Sequence, residues 1–294
     1  WLYKFSLLNH LSHMKNIIKC NYKLLDCGEF EKLEQIGEYI FRRSAPQATW
    51  KRKLGDDVWK YNHARFDQLK REWRTFTEDK LPNFECDNVT LELRLTSNGQ
   101  IGIFPEQLAN WQWLQTVTSH AKRPLNILNG FAYTGASTLF ASSPKIAVTH
   151  IDASSISVNW AKQNCHLSNL EDNSIRWIVD DIIAFLTREV KRGSVYDGII
   201  LDPPAFGRGK KRTIWKLEKD LPKLIRLVDQ LLSSDPKFVI LSCHDKSFGE
   251  YELQKELTKL QSLKNGKIET LDLTINSKNG NDLPAGKCAR WRKG

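Results

Sequence analysis

Five short stretches share one design: NGFAYTG (129–135), HID (150–152), VDD (179–181), DPP (202–204) and SCHD (242–245). Each ends an apolar run with strand character. Four of them carry a carboxylate, and the first is a glycine-bearing turn. Gly130 and Gly135 let a backbone turn tightly and come close to a ligand. Dinucleotide sites space their glycines G-x-G-x-x-G, which seats a pyrophosphate on a helix N-terminus. Here the spacing differs and bulky Phe131 and Tyr133 intervene, so a pyrophosphate is not the expected guest. Asp152 follows Asn129 by 23 residues and ends its strand, where a carboxylate can accept both hydroxyls of a ribose. Asp180 or Asp181, one strand later, can accept a hydrogen bond from an adenine amino group. Any one of these aspartates alone also fits a helix N-cap. Together, at successive strand ends, they describe a nucleoside site without phosphates.

Ligands of open α/β sheets bind outside the carboxyl ends of the strands, so the elements must deliver all five stretches to one edge. From Pro124 onward the pattern does this: LNILNGF, IAVTHID, IRWIVDD, YDGIILD and KFVILSC read as strands, separated by amphipathic helical segments. Alternating strands and helices predict a parallel sheet with right-handed crossovers. The strand-like KIETLDLTI and a tail follow. Upstream, residues 22–50 alternate around Gly28 and Gly37 and predict short strands. Residues 56–80 read as a helix or an irregular arm. Alternation on both sides of Asn98-Gly99 predicts a two-residue hairpin, and PEQLANWQWLQTVTSHA has helical spacing behind Pro105. The expected organisation is residues 1–21 as a non-core segment, 22–100 as a β-rich extension with the hairpin, and 101–294 as the main α/β domain. Trp1 opens the chain and Met14 is its only methionine, so residues 1–13 are read as upstream sequence, or the chain as a fragment.

NGFAYTGAST, DPPAFGRG and ILSCHD together resemble the class I S-adenosylmethionine-dependent methyltransferases. More narrowly, they are similar to the branch of large-subunit ribosomal RNA methyltransferases that make 5-methylcytosine or 7-methylguanine. GIFPEQ before the core and LPAGKCARW at the end extend the likeness over roughly residues 22–294. The resemblance implies an α/β, Rossmann-like fold with a mostly parallel seven-stranded sheet, and S-adenosylmethionine as cofactor. It implies that Phe131, Tyr133 and Gly135 border the methionine part, that Asp152 holds the ribose and that Asp181 reads the adenine, with Asn129 and Asp180 as further cofactor-binding residues. Gln107 would close the cofactor pocket. Asp202 would face the acceptor, with Pro203 and Pro204 fixing φ and presenting rigid carbonyls to the edge of a planar base. Enzymes that methylate exocyclic amines place an aromatic directly after the second proline; here Ala205 stands there and Phe206 follows. The 5-methylcytosine branch has a matching SC, so Cys243 would add as a thiolate to carbon 6 and activate carbon 5. His244 and Asp245 beside it are positioned in sequence to lower the thiol pKa or take a proton. Direct transfer to guanine N7, which needs no thiolate, is the alternative.

Composition adds the partner. The net charge is +10, and Arg208, Lys210, Lys211 and Arg212 follow the DPP corner while RWRKG ends the chain. Such clusters favour an anionic partner, and RNA is the expected one. A small-molecule or protein methyltransferase with a merely solvated basic loop is the competing reading; a non-catalytic RNA-binding module would leave the carboxylates without a purpose. The six cysteines show no CxxC and no metal-like spacing; they read as reduced thiols, and no metal is expected. No apolar run is long enough for a membrane span. The cytoplasm is the expected compartment, with an organelle as the alternative because the first segment lacks acidic residues.

Overall fold

The structure is a computed structural model and describes residues 18–78, 80–119, 121–208, 214–245 and 247–294. Strands β1 (Tyr22–Gly28), β2 (Glu31–Ile36) and β3 (Tyr39–Ser44) form an antiparallel meander. After the short helix α1 (Asp56–Lys60), β4 (Ala64–Asp67) pairs parallel to β3, and β5 (Glu72–Thr75) pairs antiparallel to β4. Residues 56–80 are therefore neither one helix nor an irregular arm. The first of two four-residue strands is satisfied by a partner more than 20 residues upstream, and the second then adds to the first, which local periodicity does not reveal. Asp26 organises the connection: its buried carboxylate accepts the amides of Lys53 and Leu54 and the indole N–H of Trp59 at 2.9–3.0 Å.

The predicted hairpin is displaced. The turn at Asn98-Gly99 exists, with Gly99 at φ +81° and Arg94 N–H bonded to Ile101 O. The strand before it, β7 (Val89–Glu92), instead pairs backward with β6 (Asn83–Cys86). Ile18 packs into the cluster around Phe41, Phe84 and Leu91, so the end of the segment set apart as 1–21 is core. Cys20 and Cys86, 66 residues apart in sequence, are joined as a disulfide where the two segments bridge, against the reading of reduced thiols. The other four cysteines are free and buried.

From residue 105 a single 3₁₀ turn leads into α2 (Leu108–Ser119). Then β8 (Leu125–Gly130), α3 (Ala136–Ala141), β9 (Ile146–Asp152), α4 (Ser155–Leu167), β10 (Ile175–Val179), α5 (Ile182–Lys191) and β11 (Gly198–Leu201) alternate as expected. A ribbon of β12 (Phe206–Arg208) and β13 (Ile214–Lys216) precedes α6 (Leu217–Leu231), β14 (Phe238–Cys243), α7 (Glu250–Thr258), β15 (Gly266–Ile275) and β16 (Leu283–Lys293). The main sheet has seven strands in the order β10-β9-β8-β11-β14-β16-β15, with only β16 reversed. Buried runs such as GIIL and FVILSC form its centre, as expected for strands covered on both faces. Leu217, Leu221, Leu224, Val228 and Leu231 turn one stripe of α6 into that core.

The tail is the main departure. It is an eleven-residue strand inserted between β14 and β15, and most of its charges are paired, Arg292 alone standing exposed among them. Arg290 pairs with Glu269 and lies 4.9 Å from the Trp113 ring, while Lys293 pairs with Asp235. No helix among the described residues is long and apolar enough to cross a membrane.

Candidate active site

The loop from β8 to α3 is wound tightly. Phe131 and Tyr133 hold φ of 58° and 47°, and Gly135 holds 88°. Bulky residues in the left-handed region cost roughly 1–3 kcal/mol each, so the surroundings must fix them. Thr134 Oγ1 donates to Gly102 O at 2.7 Å, and Asn164 Nδ2 donates to Thr134 O at 2.9 Å. The Phe131 ring packs on Trp215 at 4.9 Å, and the Tyr133 ring lies between Phe104 and Trp160. Beneath, Asn129 Nδ2 donates to Thr138 Oγ1, which bonds to His150 Nδ1. Burial pushes His150 down to about 3, so this support is neutral.

Asp152 ties the loop to β9. Its Oδ2 accepts Tyr133 N–H at 2.9 Å and its Oδ1 accepts Ser154 N–H at 2.8 Å. Burial raises the carboxyl, while these two amides favour its charged form. Held this way, each oxygen keeps lone pairs directed onward. Asp181 caps α5 by accepting Ala184 N–H, and Asp180 accepts Asp181 N–H and pairs with Arg188.

A cavity of about 520 Å³ joins these ends, a size ordinary for a cofactor site. Asn129, Phe131, Tyr133, Asp152, Asp180 and Asp181 line it, and so do Gln107, Asp202 and Pro204. S-adenosylmethionine, expected from the sequence, fits this donor set: an oriented carboxylate for a sugar, and Ile151 and Ile182 as apolar walls near the two aspartates. Gly135 shapes the loop without lining the cavity. A Cβ there would lie 2.9 Å from that of Ala161.

At the DPP corner the side chains are already engaged. Asp202 Oδ2 accepts Gln107 Nε2 at 3.0 Å, and Asp202 Oδ1 lies 3.1 Å from His244 Nε2. Asn110 Nδ2 in turn donates to Gln107 Oε1 at 2.6 Å. His244 Nδ1 is 2.6 Å from Ala285 O. Both ring nitrogens face acceptors, so both must donate and the ring is an imidazolium. Burial alone would lower its pKa, but the Asp202 carboxylate, with Glu106 and the Ala285 carbonyl, lifts it to about 10. The Pro204 carbonyl accepts Trp215 Nε1 at 2.7 Å. The corner thus grips the protein itself, where the sequence reading offered its carboxylate and carbonyls to a base.

Cys243 does not reach the cavity. It is 1% exposed, packs in the main core, and burial pushes its thiol up to about 11. The side chain one residue on, His244, lines the cavity instead. Pro203 is buried beneath the corner and Phe206 is exposed on β12, neither facing the cavity. Arg208 lies on β12; Lys210, Lys211 and Arg212 lie outside the described residues. Sequence reasoning treated His244 only as a neighbour of the thiol and missed Trp215 and Phe104. The strand-end rule contained the signal for His244; nothing local marks the other two.

No family model matches the chain. A crystal structure of an S-adenosylmethionine-dependent methyltransferase from Agrobacterium tumefaciens is 33% identical, covers 93% of this chain and 91% of its own, and superposes with a TM-score of 0.87. A methyltransferase structure from Streptococcus mutans, 15% identical over 99% of this chain and 79% of its own, shares the fold with a TM-score of 0.71. Among curated proteins, the ribosomal RNA large subunit methyltransferase K of Neisseria meningitidis is 32% identical over 120 residues, 40% of this chain and 33% of that protein. The K/L enzyme of a Shewanella species is 23% identical over 260 residues, 83% of this chain and 35% of that protein. The chain thus spans about a third of the length of these curated relatives.

Proposed function

The chain belongs to the S-adenosylmethionine-dependent methyltransferases, and we propose that its acceptor is a base of ribosomal RNA methylated without covalent activation, at guanine N7. The substrate class is supported by the names of the curated relatives, which are large-subunit ribosomal RNA methyltransferases, and by the net charge of +10.

The observation that carries the choice of atom is the burial of Cys243. Carbon 5 of cytosine needs a thiolate added at carbon 6, and only the ionised thiol attacks. A thiol held near 11 is ionised in about one molecule in ten thousand at neutral pH, and its side chain is turned into the core. Guanine N7 carries its own lone pair and loses no proton on methylation, so neither thiolate nor general base is required.

The residues then have simple tasks. S-adenosylmethionine, when bound, supplies a methyl group on a positively charged sulfur. Asp152 accepts the ribose hydroxyls, and the walls beside Asp180 and Asp181 take the adenine. Gln107 and His244 hold Asp202 at the edge of the cavity, and the Phe131–Trp215 pair, tied to Pro204 O by the Trp215 indole, walls the cavity beside the same corner.

The test offers tritiated cofactor with an unmodified large-subunit ribosomal RNA transcript, bulk tRNA or a protein extract, followed by nucleoside mass spectrometry. We expect label in 7-methylguanosine of the transcript, and a Cys243→Ala variant within about twofold of wild type, since the thiol touches no reacting atom. Label in 5-methylcytosine that disappears in Cys243→Ala would refute direct transfer. Label in protein alone would refute the substrate class.

A further inference from the structure

The lining of the cofactor cavity reaches the surface at two places. Ser154 is exposed beside Asp152, and Pro204, Ala205 and His244 are exposed at the Pro-Pro corner. Asp152 takes the cofactor's ribose in the reading above, so the opening at the corner is left to the acceptor. The ribbon of β12 and β13 forms the rim of that opening. Its pairs are Phe206–Lys216, Gly207–Trp215 and Arg208–Ile214, and side chains alternate faces along each strand. Gly207 and Trp215 line the cavity, with the Trp215 indole fixed to Pro204 O. Phe206 and Ile214 stand on the other face, 51% and 58% exposed, with Lys216 beside them. Shaping the cavity accounts for Trp215 and leaves this outer face unexplained.

The outer face continues onto α6, which starts directly after Lys216. Lys219, Lys223 and Arg226, at i, i+4 and i+7, form one stripe on the side of α6 away from its buried leucines. These three and Lys216 are exposed, and none has an ion-pair partner among the described residues. Of the two carboxylates in this span, Asp220 accepts Lys216 N–H at 2.8 Å, and Glu218 lies about 100° around the helix from Lys219. The helices on either side differ. At the ends of α5 and α7, Arg192 is spent on Glu189 and Lys259 on Glu256, and Arg188 within α5 pairs with Asp180. Lys219 to Arg226 spans about 10 Å at 1.5 Å per residue, room for about three phosphates at 3.4 Å of axis per strand. A row of free cations beside an exposed ring fits a nucleic-acid strand, which offers phosphates and unstacked bases together.

We propose that the outer face of the β12–β13 ribbon and the stripe on α6 together dock the RNA strand that carries the target base. This rests on the reading of the enzyme as an RNA base methyltransferase. The target enters the cavity past Pro204 and Ala205, which takes it out of its stack and leaves the neighbouring base with one face bare. Phe206, at the rim and turned outward, stacks on that neighbour. Ile214, its diagonal neighbour on the same face of the ribbon, widens the apolar platform. Lys216, Lys219, Lys223 and Arg226 then take successive phosphates, so the strand leaves the rim along α6.

The experiment measures fluorescence anisotropy of a labelled single-stranded RNA of about 20 nucleotides, spanning the nucleotide mapped by the mass spectrometry above, over a range of salt concentrations. The triple variant Lys219→Gln, Lys223→Gln, Arg226→Gln should bind about tenfold more weakly at ~0.1 M salt, with a log–log salt slope shallower by about two, at ~0.7 per lost phosphate contact. A control triple, Lys122→Gln, Lys145→Gln, Lys162→Gln, removes the same charge from exposed lysines before β8, before β9 and on α4. It should keep the wild-type slope and bind within about twofold of wild type. Phe206→Ala should cost about tenfold at an unchanged slope, and Phe206→Trp should restore binding, as stacking requires. Calorimetry with S-adenosylhomocysteine should give wild-type affinity in every variant, showing an intact fold and cofactor cavity. Wild-type affinity and slope in the α6 variant, or an equal loss in the control, overturns the docking surface and leaves the RNA reading standing. Phe206→Ala binding as tightly as wild type overturns the stacking. A wild type that binds no RNA, or labels protein alone, overturns the proposal together with the reading it rests on.

Discussion

Replacing Asp202 by asparagine should return His244 to an ordinary histidine, and the size of that change follows from the contacts at the corner. The imidazole titrates near 6.5 in an unfolded chain and near 10 in the fold. Taken at face value, that difference is worth about 5 kcal/mol. The ring is 31% exposed, and solvent screening of a partly open pair reduces the expected contribution to ~1–2 kcal/mol. Because the folded-state pKa is the higher one, the contribution is complete below about pH 6.5 and is lost as pH rises through about 10. Two measurements follow. In wild type, the His244 ring signals in a heteronuclear NMR titration should keep their protonated shifts from pH 6 to 9. In Asp202→Asn they should titrate inside that window, with Glu106 at 3.8 Å the remaining carboxylate. Urea denaturation should show wild-type stability falling between about pH 6.5 and 10 by ~1–2 kcal/mol more than in the variant. A wild-type His244 that titrates near 6.5 would show that the imidazolium bridge does not exist, and the account of the corner would fail with it.

Asp152→Ala should weaken binding of S-adenosylhomocysteine by about 30-fold, roughly 2 kcal/mol, since two charge-assisted hydrogen bonds to the ribose are removed; unchanged affinity by calorimetry would exclude that ribose site. Neutralising Lys210, Lys211 and Arg212 together should flatten the salt dependence of RNA binding by up to about three phosphate contacts. An unchanged slope would make the loop a solvated surface.

What was legible in the sequence was the half of the molecule whose signals are local. The βα alternation after Pro124 and the NGFAYTG turn could be read because buried parallel strands are short apolar runs and tight turns need glycine. The tail could not, since Lys287, Arg290 and Lys293 make β16 look solvated. Their partners, Asp272, Glu269 and Asp235, come from other elements. β4 was hidden for the same reason, its pairing being set by β3 and not by its own pattern, and β5 follows from β4. At the site the error is a single residue. Side chains alternate faces along a strand, so at the end of β14 one position points into the core and the next into the cleft. The sequence places Cys243 and His244 equally well there, and only the register of β14 against β11 and β16 decides that the thiol is the buried one.

That register also explains what the aspartate of the Pro-Pro corner is for. Asp202 takes hydrogen bonds from Gln107, which precedes the core, and from His244, at the end of β14; His244 in turn reaches Ala285 on β16. One carboxylate therefore joins the segment after the N-terminal sheet to two strands of the main sheet, at a wall of the cofactor cavity. The prolines suit this role because a fixed φ keeps the carboxylate from following its partners if they move. The charge balance fits as well. The His244 imidazolium offsets one of the two carboxyl groups beside it, Asp202 and Glu106, so the wall carries at most a single negative charge. Methylation of a neutral ring nitrogen moves one positive charge from the cofactor's sulfur to the base, with the nitrogen in contact with the methyl carbon on one side of that wall. A modest negative charge beside the reacting atoms favours the cation before and after transfer alike, so the transfer proceeds without a large electrostatic penalty at either end. Neutralising Asp202 would remove both the joint and the balance, which is why its loss should damage turnover more than the loss of any single hydrogen bond would.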